Sequence, residues 1–413
     1  MEQVDIAVIG AGPAGSSAAA WAARGGASVV LFEKATQGRE KSCGDGLTPR
    51  AVIECRRLGI DLDRFHRIDG LRVQAGSKVR EVLWPDGAFP PVGAVAPRAE
   101  FDAMVMQAAI DSGADFRENS PAELWIEDGR VLGVICHGEK VRAHLTVIAS
   151  GAGSPAARAV GAARVASSPF GLAIRGYISS TRSDDRHMEA CLTVKGPDGS
   201  IVPGYGWVFP AGNGIVNIGV GALSTMKNFS DLNLNTMLDA YTAQVRDSWG
   251  LGEFIARPKA WRLPMHVEHR GGPGWVVVGD AAGLVNPFNG EGIDYALESG
   301  RHIAECFLAE PGTAWASYQA IMRKEYDPFF ATARRFAWLI GRPKLLQFLL
   351  GIALSTKFTM KLVLDIMANL VDMEHPGLAG RSLTIGGKVL SLADPLLVRS
   401  PKKREKRPTT PVG

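Results

Sequence analysis

Three glycines near the amino terminus have the spacing of a turn that binds phosphate. Gly10, Gly12 and Gly15 lie between an apolar run at residues 4–9 and an alanine-rich run, which indicates a strand, a turn and a helix. The first glycine permits the tight turn, the second lets a pyrophosphate approach the backbone, and the third lets the helix pack closely on the strand. Glu33 ends the next apolar run, where a carboxylate can accept hydrogen bonds from ribose hydroxyls. The predicted dinucleotide-binding residues of this region are Gly10, Gly12, Pro13, Ala14, Gly15, Glu33 and Lys34.

A second glycine-rich segment, at residues 276–295, helps to choose among the dinucleotides that share this turn. An apolar run leads to Asp280, and a later turn ending at Gly292 opens a predicted helix near Ile293. The segment resembles the distal FAD motif of the flavin hydroxylase and geranylgeranyl reductase superfamily. The resemblance implies that Asp280 holds the ribityl chain, that the helix start faces the isoalloxazine ring, and that Arg98 helps to position FAD. The cofactor-binding residues that it implies are Arg98, Asp280, Gly290, Gly292 and Ile293.

The sequence does not identify the electron donor. No second GxGxxG is present for a nicotinamide cofactor. Residues 149–155 read ASGAGSP, whereas the superfamily often has at this point an Asp-Gly pair that is linked to NADPH docking. The resemblance therefore implies FAD as the cofactor and leaves the electron donor open.

Two further segments resemble the geranylgeranyl reductase family within that superfamily. Residues 41–47 read KSCGDGL, similar to its cysteine-bearing loop next to the flavin, and residues 203–221 contain YGWVFP, similar to its YxWxFP segment. The likeness covers nearly the whole chain, and the flanks at residues 47–52, 221–225 and 286–295 are most similar to bacterial members that act on menaquinone. The resemblance implies an FAD-dependent reductase that saturates an isoprene double bond in the polyprenyl side chain of menaquinone.

The same resemblance places the loop of Gly44, Asp45, Gly46 and Leu47 at the flavin, with Cys43 as its catalytic residue. Saturating an isolated alkene requires a hydride at one carbon and a proton at the other. As a thiol, Cys43 can hold that proton, although it can also serve only to contact flavin or substrate, or be a small buried residue. The sequence leaves these three roles open.

Aromatic residues are predicted to form the substrate-binding surface. Tyr205 and Trp207 alternate on one face of a predicted strand, and Phe209 continues the same row. Such a row can lay a prenyl chain against the flavin, or it can belong to the core of a sheet. Asp45 and Glu291 are expected to line the site as turn or helix caps, because a carboxylate at a helix start is stabilised by the helix dipole.

The order of the predicted elements indicates an α/β protein, α+β overall, with two interleaved domains. Alternating strands are predicted at residues 170–177, 191–194, 205–209 and 215–220. The expected architecture is like that of flavin hydroxylases, with a Rossmann-like FAD-binding domain, an antiparallel-sheet substrate domain and a C-terminal helical region. The predicted boundaries are 1–66, 98–165 and 270–312 for the FAD-binding domain, 67–97 and 166–269 for the substrate domain, 313–399 for the helical region, and 400–413 for a basic disordered tail.

Composition and charge exclude several classes of protein. Hydrophobic residues make up 46% of the 413 residues and charged residues 21%, which argues against global disorder. Residues 402–407 carry the whole net charge of +4, so nucleic-acid binding is not predicted. Five scattered cysteines favour a reducing compartment over a disulfide framework. The eight histidines show no HxH or HExxH pattern, and no GxSxG occurs, so neither a metal site nor a serine hydrolase is predicted.

Residues 344–372 are predicted to form a helix with a narrow polar stripe on an otherwise apolar surface. Its longest uncharged run, at 345–356, is far shorter than the ~20 residues that span a bilayer, so no transmembrane helix is predicted. The helix can be buried against the other domains or lie in a membrane interface, and a lipid substrate together with the basic tail favours the interface. We expect a cytoplasmic protein that attaches peripherally to the inner face of the cell membrane.

Three other functions are compatible with the sequence. One is a reductase of geranylgeranyl groups in another lipid or in a diphosphate, and a diphosphate would require a cluster of Arg and Lys at the pocket mouth. Another is a flavin-dependent aromatic hydroxylase, which would consume oxygen. The third is a non-catalytic prenyl-lipid carrier, because GDP dissociation inhibitors share this general architecture. The chain retains the nucleotide-binding groups that a carrier is free to lose, which favours an enzyme.

Overall fold

The computed structural model describes residues 1–36, 38–39, 41–165, 168–196, 199–202, 204–226, 229–340 and 355–370. Its α-helices are α1 (Pro13–Arg24), α2 (Pro49–Arg57), α3 (Arg98–Asp111), α4 (Pro155–Ala159), α5 (Leu234–Trp249), α6 (Ile293–Ala309), α7 (Ala314–Ile321), α8 (Asp327–Ile340) and α9 (Lys357–Met367). Short 3-10 helices lie at Phe229–Asp231, Gly279–Ala282 and Pro311–Thr313, and a π-helical segment at Met322–Tyr326 joins α7 to α8. The strands are β1 (Glu2–Ile9), β2 (Val29–Phe32), β3 (Gly46–Leu47), β4 (His66–Ile68), β5 (Gly70–Ala75), β6 (Lys78–Leu83), β7 (Gly93–Val95), β8 (Asp115–Arg117), β9 (Ala122–Glu127), β10 (Arg130–Cys136), β11 (Glu139–Ile148), β12 (Phe170–Ser180), β13 (His187–Cys191), β14 (Tyr205–Gly212), β15 (Ile215–Leu223), β16 (Leu251–Phe254), β17 (Lys259–Pro264), β18 (Gly271–Gly272) and β19 (Trp275–Val277).

A parallel sheet built around β1 carries the predicted dinucleotide turn. Strand β1 pairs in parallel with β2 on one side and β11 on the other, and β8 and β19 extend the sheet in the same direction. The side chains of β1 enter two different hydrophobic clusters, so both faces of the strand are covered. The chain leaves β1 toward β2 and later returns to β11 on the other side. Ligands of such sheets bind in the crevice at the carboxyl ends of the strands where this reversal occurs.

Helices α1 and α6 pack closely through small residues and bring their amino termini together. A Cβ atom added to Gly300 of α6 would lie 2.5 Å from the carbonyl oxygen of Ala14 and 2.8 Å from the nitrogen of Ala18. At the start of both helices, a Cβ added to Gly279 would lie 2.9 Å from Cβ of Ala14 and 3.4 Å from Cβ of Ala296. The two helix starts therefore meet at the carboxyl edge of the parallel sheet.

The second sheet is mostly antiparallel and has the order β16-β12-β15-β14-β13-β5-β6, with β17 also pairing with β12. Helix α5 covers one face with the buried side chains of Tyr241 and Trp249. The strand predicted at 191–194 is wrong, because the observed strand β13 ends at Cys191. The position of this strand is set by its pairing with two neighbours, in which Glu189 lies opposite Arg72 of β5 and Val208 of β14.

The helical end of the chain differs from the prediction. Helix α9 begins at Lys357 because Thr356 has an extended backbone, and its hydroxyl accepts a hydrogen bond from the amide of Thr359. The continuous helix predicted over 344–372 is therefore wrong at this point, while residues 341–354 and 371–413 lie outside the described part. The predicted tail at 400–413 also lies outside the described residues. Among the described residues, no helix is both long and apolar enough to cross a bilayer.

A third, small sheet lies where the predicted domains adjoin. Strands β3, β7 and β4 pair antiparallel in that order. Strand β3 lies within the predicted FAD-binding segment 1–66, and β4 crosses the end of that segment. Strand β7 lies within the predicted substrate segment 67–97. The domain boundaries themselves stay a prediction.

Candidate flavin and substrate site

The predicted nucleotide turn is held in shape by Glu33. The amide of Ala11 donates to Glu33 Oε2 (3.0 Å) and the amide of Ala35 donates to Oε1 (3.1 Å). Gly10 has φ +103°, and a Cβ atom there would lie 2.8 Å from the carbonyl oxygen of Ala149. A shallow depression beside the turn is lined by Ala11, Glu33, Thr36, Gly38, Arg39, Ala99, Asp102, Ala103, Met106 and Phe116. Its carboxylate and small residues suit the adenosine end of a dinucleotide.

The start of α1 leaves room for an anion. Gly12 is the N-cap residue and no side chain caps the helix within the described residues, so the first amides have no side-chain acceptor. A Cβ atom at Gly12 would meet only Arg39 Nη2, at 3.7 Å, whereas a Cβ at Gly15 would lie 1.9 Å from the carbonyl oxygen of Gly10. Gly15 thus serves helix packing and Gly12 faces open space, so these residues fit the pyrophosphate of FAD.

A large apolar cavity of about 630 Å³ lies between the two helix starts, the second sheet and α9. Its volume lies within the ~300–1,000 Å³ that is usual for ligand sites. The predicted site residues that line it are Pro13, Cys43, Gly44, Asp45, Gly46, Arg98, Tyr205, Trp207, Phe209, Asp280, Gly290, Gly292 and Ile293. The predicted residues that do not line it are Gly10, Gly12, Ala14, Gly15, Glu33, Lys34 and Leu47.

Asp280 lies in the 3-10 turn at the start of this cavity and forms an ion pair that the sequence did not predict. Its Oδ2 atom is 2.9 Å from Lys41 Nζ, and both side chains are mostly buried. A Cβ atom at Gly292 would lie 3.5 Å from Asp280 Oδ1, so the turn touches the uncapped start of α6. Lys41 opens the KSCGDGL segment, and its place in that segment was the only available signal for its role.

The predicted FAD-positioning residue Arg98 is buried at the start of α3. Its Nε and Nη2 atoms donate to the two carboxylate oxygens of Asp102, at 2.7 and 2.8 Å. Burial opposes the charge, yet Asp102 and the nearby sulfur of Cys43 together raise the pKa of Arg98, so the guanidinium stays charged. The structure thus brings Arg98 and Cys43 together at the cavity wall.

Polar side chains of the second sheet hold the Cys43 loop, and the sequence did not reveal them. The carbonyl oxygen of Cys43 accepts hydrogen bonds from Arg175 Nε (3.1 Å) and Asn217 Nδ2 (2.8 Å). Asn217 Nδ2 also donates to Asp45 Oδ2 (2.8 Å), and Tyr177 donates its hydroxyl to the same oxygen (2.5 Å). Asp45 has φ +63°, as expected for a turn residue, but its carboxyl group reaches across to the sheet. Burial raises its pKa to about 6 despite these hydrogen bonds.

The predicted aromatic row is a wall of the cavity. The ring centroids of Tyr205 and Trp207 are 5.6 Å apart, and those of Trp207 and Phe209 are 6.2 Å apart. Trp207 Nε1 donates to Asn217 Oδ1 (3.0 Å), so one asparagine connects the wall to the Cys43 loop. A Cβ atom at Gly44 would lie 3.1 Å from Phe209 Cε2, so a larger residue would crowd the contact between loop and wall.

Glu291 is partly buried beside the start of α6 and is not the helix cap that the sequence predicted. Gly292 is the N-cap residue and no side chain of the described residues caps α6. Instead, Glu291 Oε1 accepts a short hydrogen bond from the hydroxyl of Thr48, and Oε2 accepts one from Asn289 Nδ2 (3.2 Å). Burial raises the pKa of Glu291 to about 7, although these hydrogen bonds act in the opposite direction.

Arg50 of α2 balances the buried carboxylate of Glu298 on α6. Its Nε atom is 2.7 Å from Glu298 Oε1 and 4.0 Å from Asp294 Oδ2. Glu298 is almost fully buried, so the guanidinium is the cation that offsets the cost of burying its charge.

Arg50→Met is expected to lower the free energy of unfolding by about 3–5 kcal/mol, because it leaves Glu298 buried without its cation. The matched control is Arg64→Met, since Arg64 pairs with Glu100 on the surface and such pairs contribute about 1 kcal/mol or less. Urea unfolding of the two variants measures the difference. Equal losses would contradict the role given to Arg50.

The fold and the site together define the class of protein. Residues 3–322 match the profile of a protein family described as "FAD binding domain". The match covers more than half of the chain, and the parallel sheet, the glycine turn and the Asp280 turn all lie within it. The chain belongs to this family, and the predicted cofactor, FAD, is confirmed.

Within that class, curated relatives identify a narrower group. The chain is 40% identical to a menaquinone reductase of Mycobacterium tuberculosis over 95% of this chain and 98% of that protein. It is 31% identical to a digeranylgeranylglycerophospholipid reductase of Thermoplasma volcanium over 79% of this chain and 81% of that protein. These similarities confirm the resemblance to the geranylgeranyl reductase family.

A solved structure has the same architecture. A geranylgeranyl bacteriochlorophyll reductase-like protein of Thermoplasma acidophilum superposes with a TM-score of 0.77, covering 94% of this chain and all of that chain at 24% identity. A flavin-dependent brominase superposes with a TM-score of 0.75 at 17% identity, covering 95% of this chain. At these identities the likeness concerns the fold, and it confirms the predicted flavin hydroxylase-like architecture.

Proposed function

We propose that this protein is an FAD-dependent reductase that saturates an isoprene double bond in the polyprenyl side chain of menaquinone. The observation that carries the proposal is the apolar cavity, which extends from the Asp280 turn and the Cys43 loop along the aromatic wall to α9. An apolar slot that continues directly from the predicted flavin position suits a long prenyl chain. The similarity to menaquinone reductases over 95% of the chain supports the choice of substrate.

FAD is proposed to lie from the Glu33 depression across the start of α1 to the start of α6. When bound and reduced, it supplies a hydride. Glu33 and Arg39 border the adenosine end, the amides of α1 receive the pyrophosphate, and Asp280 with its partner Lys41 binds the ribityl chain. The residues proposed to surround the cofactor are those of the sequence prediction: Gly10, Gly12, Pro13, Ala14, Gly15, Glu33, Lys34, Gly44, Asp45, Gly46, Leu47, Arg98, Asp280, Gly290, Gly292 and Ile293.

The aromatic wall and the Cys43 loop are proposed to position the alkene. Tyr205, Trp207 and Phe209 form one side of the slot, and Cys43 is half-buried at its flavin end next to Arg98. The wall excludes water and aligns the chain, and Cys43 contacts the flavin or the alkene at the reacting end. Proximity and alignment of this kind supply a large part of the barrier reduction in enzymes.

A diphosphate substrate is less compatible with this cavity than a neutral lipid tail. The cationic side chains that line its described wall are Lys41, Arg98 and Arg175. Lys41 pairs with Asp280, Arg98 pairs with Asp102, and Arg175 donates to the carbonyl oxygens of Lys41 and Cys43. All three groups already bond the protein, and a diphosphate would have to compete for them.

The substrate proposal is tested by comparing lipids. Purified enzyme, reduced with dithionite under nitrogen, is incubated in detergent with menaquinone, with geranylgeranyl diphosphate and with a digeranylgeranyl phospholipid, and the products are analysed by mass spectrometry. We expect a gain of two hydrogens in the side chain of menaquinone and much slower reaction of the other two. Faster saturation of either alternative would replace the substrate, and a change in the menaquinone ring alone, reversible by air, would refute alkene reduction.

We further propose that α9 attaches the protein to a membrane surface. Its residues Met360 and Leu364 are buried, while Lys357, Phe358 and Lys361 are exposed. The buried side borders the cavity, so a lipid bound from the membrane would have a short path to the site. Exposed lysines beside an aromatic residue favour an anionic lipid surface.

Phe358→Ser is expected to weaken binding to vesicles of anionic phospholipid about tenfold, because the phenyl ring no longer enters the interface. The matched control is Ile126→Ser, at an exposed position of β9 in the sheet built around β1. Vesicle co-sedimentation at low salt gives both affinities. Unchanged binding of Phe358→Ser, or no binding by the parent protein, would contradict attachment through α9.

A further inference from the structure

One side of helix α6 carries a series of ionisable residues that runs outward from the cavity. Asp294, Glu298 and His302 are spaced by four residues, which places them on one face of the helix, and Glu291 lies two residues before the helix begins. Glu291 lines the cavity, and His302 neighbours Glu305, whose side chain is 48% exposed. The series therefore extends from the cavity wall to the protein surface.

The inner end of the series holds a carboxyl group without a conventional partner. Asp294 is fully buried, and neither of its carboxylate oxygens has a hydrogen-bond partner of standard geometry among the described residues. Burial, together with the charges of Glu291 and Glu298, raises the pKa of Asp294 well above its ordinary value. Asp294 therefore holds its proton in preference to charge, and the pKa of Glu291, about 7, leaves that neighbouring carboxyl group partly protonated near neutral pH.

The outer end of the series is a chain of hydrogen bonds. Tyr326 donates its hydroxyl to Glu298 Oε2 (2.7 Å), and its oxygen lies 3.0 Å from His302 Nε2. His302 Nδ1 is 3.5 Å from Glu305 Oε2 at the surface. Each of these groups can both accept and release a proton, so the contacts form a route from solvent to Glu298.

Arg50 gives Glu298 a different protonation state from that of Asp294. Burial alone would raise the pKa of Glu298, but the adjacent Arg50 more than offsets this and lowers it. Glu298 is thus a carboxylate that accepts a hydrogen bond from Tyr326, whereas Asp294, one helical turn closer to the cavity, favours the protonated form.

We propose that Glu291 is the general acid of the reaction and that Asp294, Glu298, Tyr326 and His302 carry its replacement proton from solvent. The inference rests on the proposed function. Glu291 gives its carboxyl proton to one alkene carbon while the hydride of the reduced FAD adds to the other. The π bond breaks, two C–H bonds form, the flavin is left oxidised and Glu291 is left as a carboxylate, which the series then reprotonates.

The surroundings of Glu291 favour it over Asp45, another carboxyl group that lines the cavity. Asp45 faces the cations of Arg175 and Arg98, which stabilise its anion and oppose proton storage. The titratable and charged groups that act on Glu291 are Asp294, Tyr295 and Glu298 on α6, Arg50 on α2 and Tyr205 on β14. Carboxyl groups outnumber the one cation among them. Because the pKa of Glu291 is about 7, the acid form is present below this pH and is lost above it.

The test compares Glu291→Gln with Glu310→Gln, which removes an exposed carboxylate at the end of the same helix. In dithionite-reduced holoenzyme, Glu291→Gln is expected to slow side-chain saturation of menaquinone about 100-fold or more, the usual contribution of a general acid. The wild-type rate should fall as pH rises through about 7, a decline that Glu291→Gln should not show. Infrared difference spectra of the protein without substrate should contain a protonated carboxyl band that disappears over the same pH range, and Glu291→Gln should lack that band.

The relay is tested separately at its outer end. His302→Ala is expected to slow turnover while leaving the flavin spectrum unchanged, and added imidazole should restore the rate. Full activity of His302→Ala, or a loss that imidazole does not relieve, would refute the route through His302.

Other outcomes would contradict the role of Glu291 as the general acid. If Glu291→Gln saturates the side chain at the wild-type rate with the wild-type pH profile, or if only Cys43→Ala abolishes that profile, Glu291 is not the acid and the reductase function stands. If the wild-type enzyme yields no saturated side chain under these conditions, the proposed function fails, and the role of Glu291 fails with it.

Discussion

Gly12→Val is expected to give a folded protein that no longer retains FAD. The backbone at Gly12 has φ −75° and ψ −179°, a conformation that valine adopts readily, so the substitution introduces no backbone strain. A Cβ atom at this position would meet only the end of the Arg39 side chain, and we expect the branched side chain to enter the space proposed for the pyrophosphate. We expect FAD binding to weaken roughly 100-fold or more, which corresponds to about 3 kcal/mol.

Two measurements separate this effect from unfolding. The variant should be colourless on purification, and its thermal transition should match that of wild-type protein stripped of FAD. Gly15→Ala is the contrasting variant, because its methyl group would meet the carbonyl oxygen of Gly10 and should destabilise the apoprotein too. A yellow Gly12→Val protein with normal flavin content would show that the pyrophosphate does not lie at the start of α1.

Trp207→Ala is expected to raise the KM for menaquinone about 10- to 100-fold with a smaller change in kcat. The indole is 4% exposed and stands at the centre of the aromatic wall, between Tyr205 and Phe209. Removing an aromatic side chain from an apolar binding surface costs about 1.5–3 kcal/mol of burial. Steady-state kinetics with menaquinone in detergent measures both constants.

A second substitution at the same position separates the wall from the hydrogen bond. Trp207→Phe keeps an aromatic surface but loses the donor to Asn217, the residue that also holds the Cys43 loop. We expect Trp207→Phe to preserve KM and to lower kcat, since the loop loses one of its supports. Wild-type KM in Trp207→Ala would mean that the side chain belongs to the core of the sheet and does not bind substrate.

The shape of the proposed nucleotide-binding turn followed from local sequence. The tight turn at Gly10, the open position at Gly12 and the close packing at Gly15 are properties of a few consecutive residues, and the structure has the strand, turn and helix that their spacing predicted. The strands of the second sheet were also predicted where apolar and polar residues alternate. Strand β13 was misplaced because it is held by pairing to β5 and β14, which a local pattern does not contain.

The side chains that hold the Cys43 loop could not be predicted from sequence. Asn217 and Tyr177 are polar residues within apolar strands, and only the fold shows that they bond Asp45 and the Cys43 loop more than 130 positions earlier in the chain. Glu291 was interpreted as a helix cap because carboxylates are common at helix starts. Its contact with Thr48, 243 positions away, removes it from that role.

The end of the chain illustrates a further limit of periodicity. The apolar pattern across residues 344–372 predicted one helix, but the Thr356–Thr359 capping box starts a new helix at Lys357. A capping box contains residues that also occur inside helices, so the pattern alone did not reveal the break. The break bears on the proposed membrane attachment, because α9 borders the cavity and Phe358 is exposed to solvent.

The most direct test of the central claim is a single-turnover reaction without oxygen. Enzyme whose FAD has been fully reduced is mixed with menaquinone in detergent, and the flavin absorbance and the mass of the lipid are followed together. We predict that one side-chain double bond is saturated for each flavin that is reoxidised, with the two added hydrogens found in side-chain fragments. Reoxidation that leaves the side chain unchanged and reduces only the quinone ring would contradict the account.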